Sequence, residues 1–252
     1  MRTQSIMVLL LSGISALVIC PSQATSEEII YDHAFDPNYL EFYGIFSNTP
    51  SPPSSPTALE AADDFSLLNE SIITGVRWWG YFGSDLPASV NALKFRIAVF
   101  ADDRGSPLND PIYTHEVTAQ VRDTGLRFTN TKSPFYLGRI IYEFDADSIE
   151  PFMARAGETK WISIAETDPS TPAADTTRWL WEDSPAVGDD GIAARDSGNW
   201  QSGLFFQRDL AFQLIGIIPE PSSWTQFVIG VLMLSFVIRF CRLQRPDNRG
   251  AI

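Results

Sequence analysis

Three kinds of residue are scarce in this sequence: cysteine, histidine and the basic side chains. Only two cysteines, Cys20 and Cys241, and two histidines, His33 and His115, occur among its 252 residues. Two cysteines cannot build a disulfide scaffold, and two histidines leave few ligands for a zinc or copper site. The chain has 18 Lys and Arg against 31 Asp and Glu, so its net charge is −13. Because such a surface repels phosphate backbones, we exclude nucleic acid as a partner.

Helical periodicity is missing between the two ends of the chain, where apolar and polar residues alternate instead. Phe95, Ile97 and Val99 share one face of a half-buried strand. Short strands separated by Gly, Pro and Asp turns predict an all-β fold, an antiparallel β-sandwich of jelly-roll type. Besides the strand around residue 97, the pattern predicts strands at 76–82, 112–121, 139–144, 160–165, 178–181 and 210–214, with turns at 102–107 and 156–158.

The N-terminus has the pattern of a signal peptide. Arg2 precedes an apolar run over residues 6–19, and small residues follow at Ser22 and Ala24. Small side chains at these two positions suit a signal peptidase, so we predict cleavage after Ala24 and a signal peptide over residues 1–24. A short transmembrane anchor is the alternative.

The C-terminus combines a proline motif, an apolar segment and an arginine cluster. Pro219, Glu220, Pro221 and Ser222 are followed by an apolar stretch that we predict to be a transmembrane helix at about 224–240. At about 1.5 Å per residue, the 15 residues from 224 to 238 rise roughly 22 Å, enough to span marginally with snorkelling arginines. Excess positive charge after the helix, at Arg239, Arg242 and Arg245, orients the tail towards the cytoplasm and the main domain outside.

This arrangement resembles the PEP-CTERM sorting signal that exosortases recognise. The resemblance covers about residues 217–245, with Pro219, Glu220 and Pro221 as the motif and the arginines as the membrane stop. It implies a transient anchor in the inner membrane, cleavage near the motif by a membrane-embedded cysteine transpeptidase, and release to the cell surface or the exopolysaccharide matrix. Two features depart from the pattern: Arg239 comes early, and residues 246–252 extend the tail. A stiff linker before a permanent anchor is the alternative interpretation.

Between the two ends lies one predicted domain, residues 25–218, and the sorting region follows at 219–249. The domain has no cysteine and a net charge of −16, since most of the basic residues outside it lie in the C-terminal tail. Its stability must therefore come from burial rather than disulfides. Residues 48–57 hold four prolines and are predicted to be a loop, while the segment at 29–46 is expected to supply an edge strand.

Tryptophan and paired acidic residues are the candidate ligand-binding groups of this domain. Trp78 and Trp79 must face opposite sides of a strand, so Trp79 is a candidate glycan platform, with core packing as the alternative. No cofactor is predicted, although one structural calcium ion at an acidic pair remains an alternative to solvated turns. The acidic pairs near turns are Asp63 with Asp64, Asp102 with Asp103, Asp145 with Asp147, and Asp189 with Asp190.

No catalytic constellation is recognisable, since neither histidine has an identifiable partner serine or cysteine and no Gly-x-Ser-x-Gly elbow occurs. We therefore predict that the protein is not an enzyme and assign no catalytic or metal-binding residue. The expected function is that of a structural or adhesive component of a biofilm matrix. The expected partners are signal peptidase, an exosortase-type transpeptidase and exopolysaccharide. A glycan-binding or glycan-hydrolysing module and a permanently anchored surface protein are the alternatives.

Overall fold

The computed structural model describes residues 27–33, 35–36, 44–47, 59–82, 93–128, 137–167, 179–185, 192–196, 199–205 and 208–219. Within these ranges all regular structure is β-strand, paired antiparallel in every ladder between named strands. No helix in these ranges has the length and apolar character needed to cross a membrane. The predicted signal peptide, the loop at 48–57 and the helix at about 224–240 lie outside the described residues.

The first sheet is organised around the long strand β4 (Ser71–Phe82). On one side of it run β16 (Phe212–Ile217) and β11 (Trp179–Trp181), and on the other side β8 (Ile140–Ala146) and β9 (Phe152–Ala154). The outer positions belong to β1 (Glu28–His33) beside β16, β2 (Ile45–Phe46) beside β11, and β7 (Gln120–Arg127) beside β8. The predicted edge strand from the N-terminal segment is thus confirmed.

The second sheet has six strands, in an order that interleaves distant parts of the chain. In spatial order they are β14 (Gln201–Phe205), β13 (Ile192–Asp196), β3 (Leu59–Ser66), β10 (Thr159–Glu166), β5 (Lys94–Ala101) and β6 (Tyr113–Thr118). A third sheet of only two strands pairs β12 (Asp183–Pro185) with β15 (Arg208–Leu210).

The core lies between the first and second sheets and is rich in aromatic rings. Trp78 of β4 lies 5.1 Å from Phe95 of β5, measured between ring centroids, and Phe95 lies 5.2 Å from Phe144 of β8. All three side chains have zero exposure. Such edge-to-face pairs add about 0.5–1.5 kcal/mol each to the burial term. The all-β antiparallel prediction is confirmed, and the two facing sheets fit a β-sandwich.

Two predicted strands are each divided between sheets. The prediction at 112–121 becomes β6 in the second sheet and β7 in the first, with Ala119 between them. In the same way Ala211 separates β15 from β16 within the prediction at 210–214. Alternation reports which side chains are buried, but it does not report a change of pairing partner, so it missed both breaks. The strands predicted around 97, at 139–144 and at 160–165 correspond to β5, β8 and β10 and are confirmed.

Candidate functional sites

The start and the end of the described sandwich lie side by side. Glu28, the first residue of β1, pairs with Gly216 near the end of β16. Ile218 follows with 37% exposure, and Pro219 is also exposed. We call this the exit end: the end of the sandwich where β16 ends and where β1 and β4 begin.

Only the first residue of the predicted sorting motif is described. Pro219 lies two residues after the end of β16, and both Ile218 and Pro219 are exposed. Outside the described residues lie Ala24, Glu220, Pro221, Ser222, Arg239, Arg242 and Arg245.

The tryptophans of the domain are buried, as the core-packing alternative requires. Trp78 and Trp79 do face opposite sides of β4: Trp78 belongs to the main core, whereas Trp79 packs with Ile141 and Ala211 on the other face. Trp79 is only 7% exposed. The structure therefore does not offer Trp79 as an exposed glycan platform, because neighbouring side chains cover its ring. The remaining indoles are also buried, at 0% exposure for Trp161, Trp179 and Trp181 and 8% for Trp200.

The paired acidic residues have separate local roles. One carboxylate oxygen of Asp102 accepts hydrogen bonds from the Trp161 indole at 2.9 Å and from the Gly105 amide at 3.0 Å, which fixes the predicted turn at 102–107. Asp145 forms an ion pair with Arg77 at 2.8 Å. Asp189 and Asp190 lie outside the described residues. Among those the structure describes, no three His, Cys, Asp or Glu side chains are arranged to hold a metal ion.

Asp63 belongs to a buried group of titratable side chains that we call the His33 cluster: Tyr31 and His33 of β1, Asp63 of β3 and Asp209 of β15. The His33 Nδ1 atom lies 3.8 Å from an Asp209 carboxylate oxygen and 4.0 Å from one of Asp63. The Tyr31 hydroxyl lies 2.9 Å from His33 Nε2 and donates to the Asp64 carbonyl at 3.2 Å. The Asp63 oxygen nearest His33 accepts from the Leu210 amide at 2.7 Å.

Burial controls protonation in the His33 cluster. It raises the pKa of Asp63 well above its ordinary value, and the nearby charge of Asp209 raises it further. Burial likewise lowers the pKa of His33, against the opposing influence of Asp209 and Asp32. The pKa of Tyr31 is raised by burial and then by Asp63. Burial thus favours the neutral forms of both Asp63 and His33 where their three strands meet.

Sequence reasoning missed this cluster because its members are far apart along the chain. Asp63 and Leu210 are 147 residues apart, and the alternation within each strand shows only burial. The adjacent acidic residues Asp63 and Asp64 gave a partial indication, but they face opposite sides of β3, with Asp63 buried and Asp64 half-buried.

A row of charged and amide side chains crosses the outer face of the first sheet. We call it the polar row: Asp32, Gln213, Arg77, Asp145, Glu143 and Arg122. Gln213 donates to Asp32 at 2.9 Å, and Arg77 donates to Asp145 at 3.0 and 2.8 Å. Arg122 donates to Glu143 at 2.6 Å. The hydrogen bond from Arg77 to Asp145 raises the pKa of Arg77.

Register explains why these side chains meet. Asp32 pairs with Gln213, Gln213 with Arg77, and Arg77 with Asp145, so the row runs perpendicular to β1, β16, β4 and β8 and continues to β7. At about 4.8 Å per strand, it spans roughly 19 Å. An open groove of about 280 Å³ lies at its β7 end, lined by Arg77, Gln120, Val121, Arg122, Glu143 and Asp145. Guanidinium donors and carboxylate acceptors placed this way can bind a hydroxyl-rich ligand.

A second charged network lies on the outer face of the other sheet. Glu60 of β3, which is 4% exposed, accepts from Ser163 at 2.7 Å and pairs with Arg96 at 2.6 Å. Its other oxygen accepts from Arg195 at 2.9 and 2.7 Å. The Arg195 guanidinium also lies 4.4 Å above the ring of Trp200. Glu60 therefore connects four neighbouring strands, which is a stabilising role.

Two comparisons with known proteins complete the description. No curated protein matches the chain. One family model, described as a domain of unknown function (DUF7901), matches residues 36–219. The matched region includes fifteen of the sixteen described strands and ends at the residue that opens the proline motif.

Proposed function

This chain belongs to the DUF7901 family, and from that premise we propose that it is an exported protein anchored transiently in the inner membrane by its C-terminal segment. An exosortase-type transpeptidase processes it near Pro219 to Ser222, after signal peptidase has cut behind Ala24. The β-domain, of jelly-roll type, then serves as a structural or adhesive component at the cell surface or in the exopolysaccharide matrix.

The position of the two chain ends is the observation that carries this proposal. Glu28 and Gly216 are neighbours across one ladder, so the N-terminal and C-terminal segments leave the sandwich at the same end. During export both apolar segments occupy one bilayer, and a domain whose ends emerge together meets this requirement without unfolding. The exposure of Pro219 supports it as well, because a transpeptidase needs an accessible, extended substrate.

The intact mass and the C-terminal peptide of the protein from its native host test the proposal. We expect an extracellular or surface species that ends between residues 219 and 222, with or without the added mass of an attached group. Pro219→Ala combined with Pro221→Ala should abolish this processing. A species that retains residues 239–252 and occurs only in the membrane pellet would instead establish a permanent anchor.

Glycan binding through the polar row is the second candidate function. Its favouring observation is the open groove of about 280 Å³ between Arg77 and Arg122, which combines guanidinium donors with the carboxylates of Glu143 and Asp145. We expect the host's own exopolysaccharide to retain the protein, with or without calcium, and Arg122→Ala combined with Gln120→Ala to reduce retention several-fold. Trp79→Phe is the matched control and should leave retention unchanged. If the polysaccharide does not retain the unsubstituted protein, this candidate is excluded.

A further inference from the structure

Exposed apolar side chains are concentrated at one end of the described sandwich. Seven large apolar residues of the described ranges are exposed, and six of them lie at or next to the exit end. The exception is Leu137, which is 52% exposed and precedes β8 at the opposite end. The six are Leu68 at 96% exposure, Ile112 and Met153 at 57%, Ile29 at 48%, Leu108 at 45% and Ile218 at 37%.

Strand register places these six side chains at the exit end. Leu68 lies in the turn between β3 and β4. Met153 pairs with Ile72, which pairs in turn with Ile217 at the end of β16. Leu108 and Ile112 lie in the connection after β5. The last residue of β5 pairs with the second residue of β10, so β5 ends where β10 begins, and this is the exit end.

The length of chain after the sandwich limits how far the exit end can lie from a bilayer. Six residues, 218–223, separate the end of β16 from Trp224, where the apolar segment begins. Fully extended, six residues reach about 20 Å. The opposite end is the length of β4 away, and its 12 residues span roughly 40 Å. While the C-terminal segment is in the membrane, the exit end is therefore the part of the sandwich that faces the lipid.

We propose that the exit end is a membrane-contact surface, which rests on the lipid bilayer while the C-terminal segment is anchored and places Leu68 and Met153 among the headgroups. This inference rests on the anchoring step of the proposed function. Exposed apolar side chains concentrated at one end of a domain are typical of a site that binds a protein or a membrane. The short connection to an apolar segment favours the membrane, since it brings the surface to the lipid without a separate binding event.

The charges at the exit end define which lipid surface fits. Glu28, Glu70, Glu150 and Glu158 are exposed there, as are Asp103 and Asp110 in the connection after β5, and the exposed cations among them are Arg104 and Arg155, so acidic side chains predominate. Because acidic side chains repel anionic headgroups, we expect contact with zwitterionic lipid and weaker contact with anionic lipid.

Fluorescence quenching in reconstituted membranes tests the inference. The full-length chain with Cys20→Ser and Cys241→Ser has no other cysteine, so Leu68→Cys, Met153→Cys and Leu137→Cys each provide one labelling site. The labelled proteins are placed in phosphatidylcholine vesicles that contain lipids spin-labelled near the headgroup. We expect quenching at positions 68 and 153 to exceed that at position 137 at least threefold, and to fall when phosphatidylglycerol is added.

A charge substitution provides a second measurement that does not depend on labelling Leu68. Leu68→Glu should lower the quenching at position 153 at least twofold, because it adds charge to the contact surface. Leu137→Glu is the matched control and should leave it unchanged. Both residues are exposed, so neither change removes a core contact.

The outcomes separate this inference from the proposed function. Equal quenching at positions 68 and 137 in a vesicle-bound chain overturns the membrane-contact surface and leaves the anchor intact. A chain that stays in the aqueous fraction overturns the anchor and the inference with it. Quenching at position 68 by a spin-labelled second copy, without quenching by lipid, overturns the inference in favour of self-association.

Discussion

Asp63 holds a carboxyl group where water does not reach it. Its side chain has zero exposure, one oxygen accepts from the Leu210 amide, and the other has no hydrogen-bond partner among the described residues. A buried carboxylate in this situation favours the protonated form. The pKa of Asp63 is higher in the folded protein than in the unfolded chain. The contribution of Asp63 to the free energy of unfolding is therefore fully present below pH 3.8, the ordinary pKa. It is lost as the pH rises through the raised pKa of the folded protein.

Asp63→Asn should therefore stabilise the protein at higher pH. The amide oxygen can still accept from Leu210, and it carries no charge to bury. At pH 8 we expect the variant to have the higher free energy of unfolding, because only the unsubstituted protein must then bury a charged carboxylate or take up a proton to fold. Near pH 4 the difference should be small. Urea unfolding at pH 4, 6 and 8 measures this difference.

Asp64→Asn is the control for that comparison. Asp64 is the half-buried neighbour on the other face of β3, and its variant should not show a gain that grows with pH. If Asp63→Asn instead loses as much stability at pH 8 as at pH 4, Asp63 is ionised and paired in the folded protein.

At the scale of the strands, the ion pairs on the outer faces of the two sheets stabilise the fold to different extents. Glu60 is 4% exposed and binds Ser163, Arg96 and Arg195 at the same time. The pair of Arg122 with Glu143 has a similar distance, but Arg122 is 72% exposed. Buried pairs cannot lose one partner without leaving an uncompensated charge, whereas water replaces the partner of an exposed one.

Glu60→Ala should accordingly lower the free energy of unfolding by about 3–5 kcal/mol, since it leaves two arginines without their carboxylate. Arg122→Ala is the matched change on the other sheet and should cost less than about 1 kcal/mol. Thermal unfolding of both variants makes the comparison. Equal losses would show that the Glu60 network is no more buried in solution than the polar row.

Strand positions were predictable from the sequence where the burial of alternate side chains alone determines them. β5 alternates cleanly because the side chains of Phe95, Ile97 and Val99 enter the core, and the sequence shows this directly. The breaks at Ala119 and Ala211 were not predictable, because small apolar residues continue the alternation while the hydrogen bonds change sheet. The His33 cluster was missed for a related reason: its residues come from β1, β3 and β15, and pairing across such separations leaves no local pattern. For Trp79, alternation correctly predicted a position outside the main core. It could not predict that other side chains cover the ring on that face.

At the scale of the whole molecule, the first and last strands form one edge of the sandwich. Ile29 of β1 pairs with Ile215 of β16, and the domain between the predicted signal peptide and the predicted transmembrane helix contains no cysteine. Paired residues on antiparallel strands have Cα atoms about 4.5–5.5 Å apart, within the range that a disulfide needs.

Ile29→Cys combined with Ile215→Cys should form a disulfide in the protein under oxidising conditions. The expected result is a mass lower by two hydrogens and one cross-linked peptide after digestion, both reversed by reductant. Ile29→Cys with Leu137→Cys is the control, and this pair should stay reduced because the two positions lie at opposite ends. A reduced pair at 29 and 215 would contradict the adjacency of the chain ends.

The same adjacency makes the domain mechanically anisotropic. β16 lies between β1 and β4, with ladders on both sides. A force that separates the chain ends at Glu28 and Gly216 peels β1 away one hydrogen-bonded pair at a time, so the rupture force is low. A force between the C-terminal attachment and the far end of the sandwich shears β16 along both ladders at once, and all their hydrogen bonds resist together. Under the proposed C-terminal attachment, a load on the domain would therefore act in the strong direction.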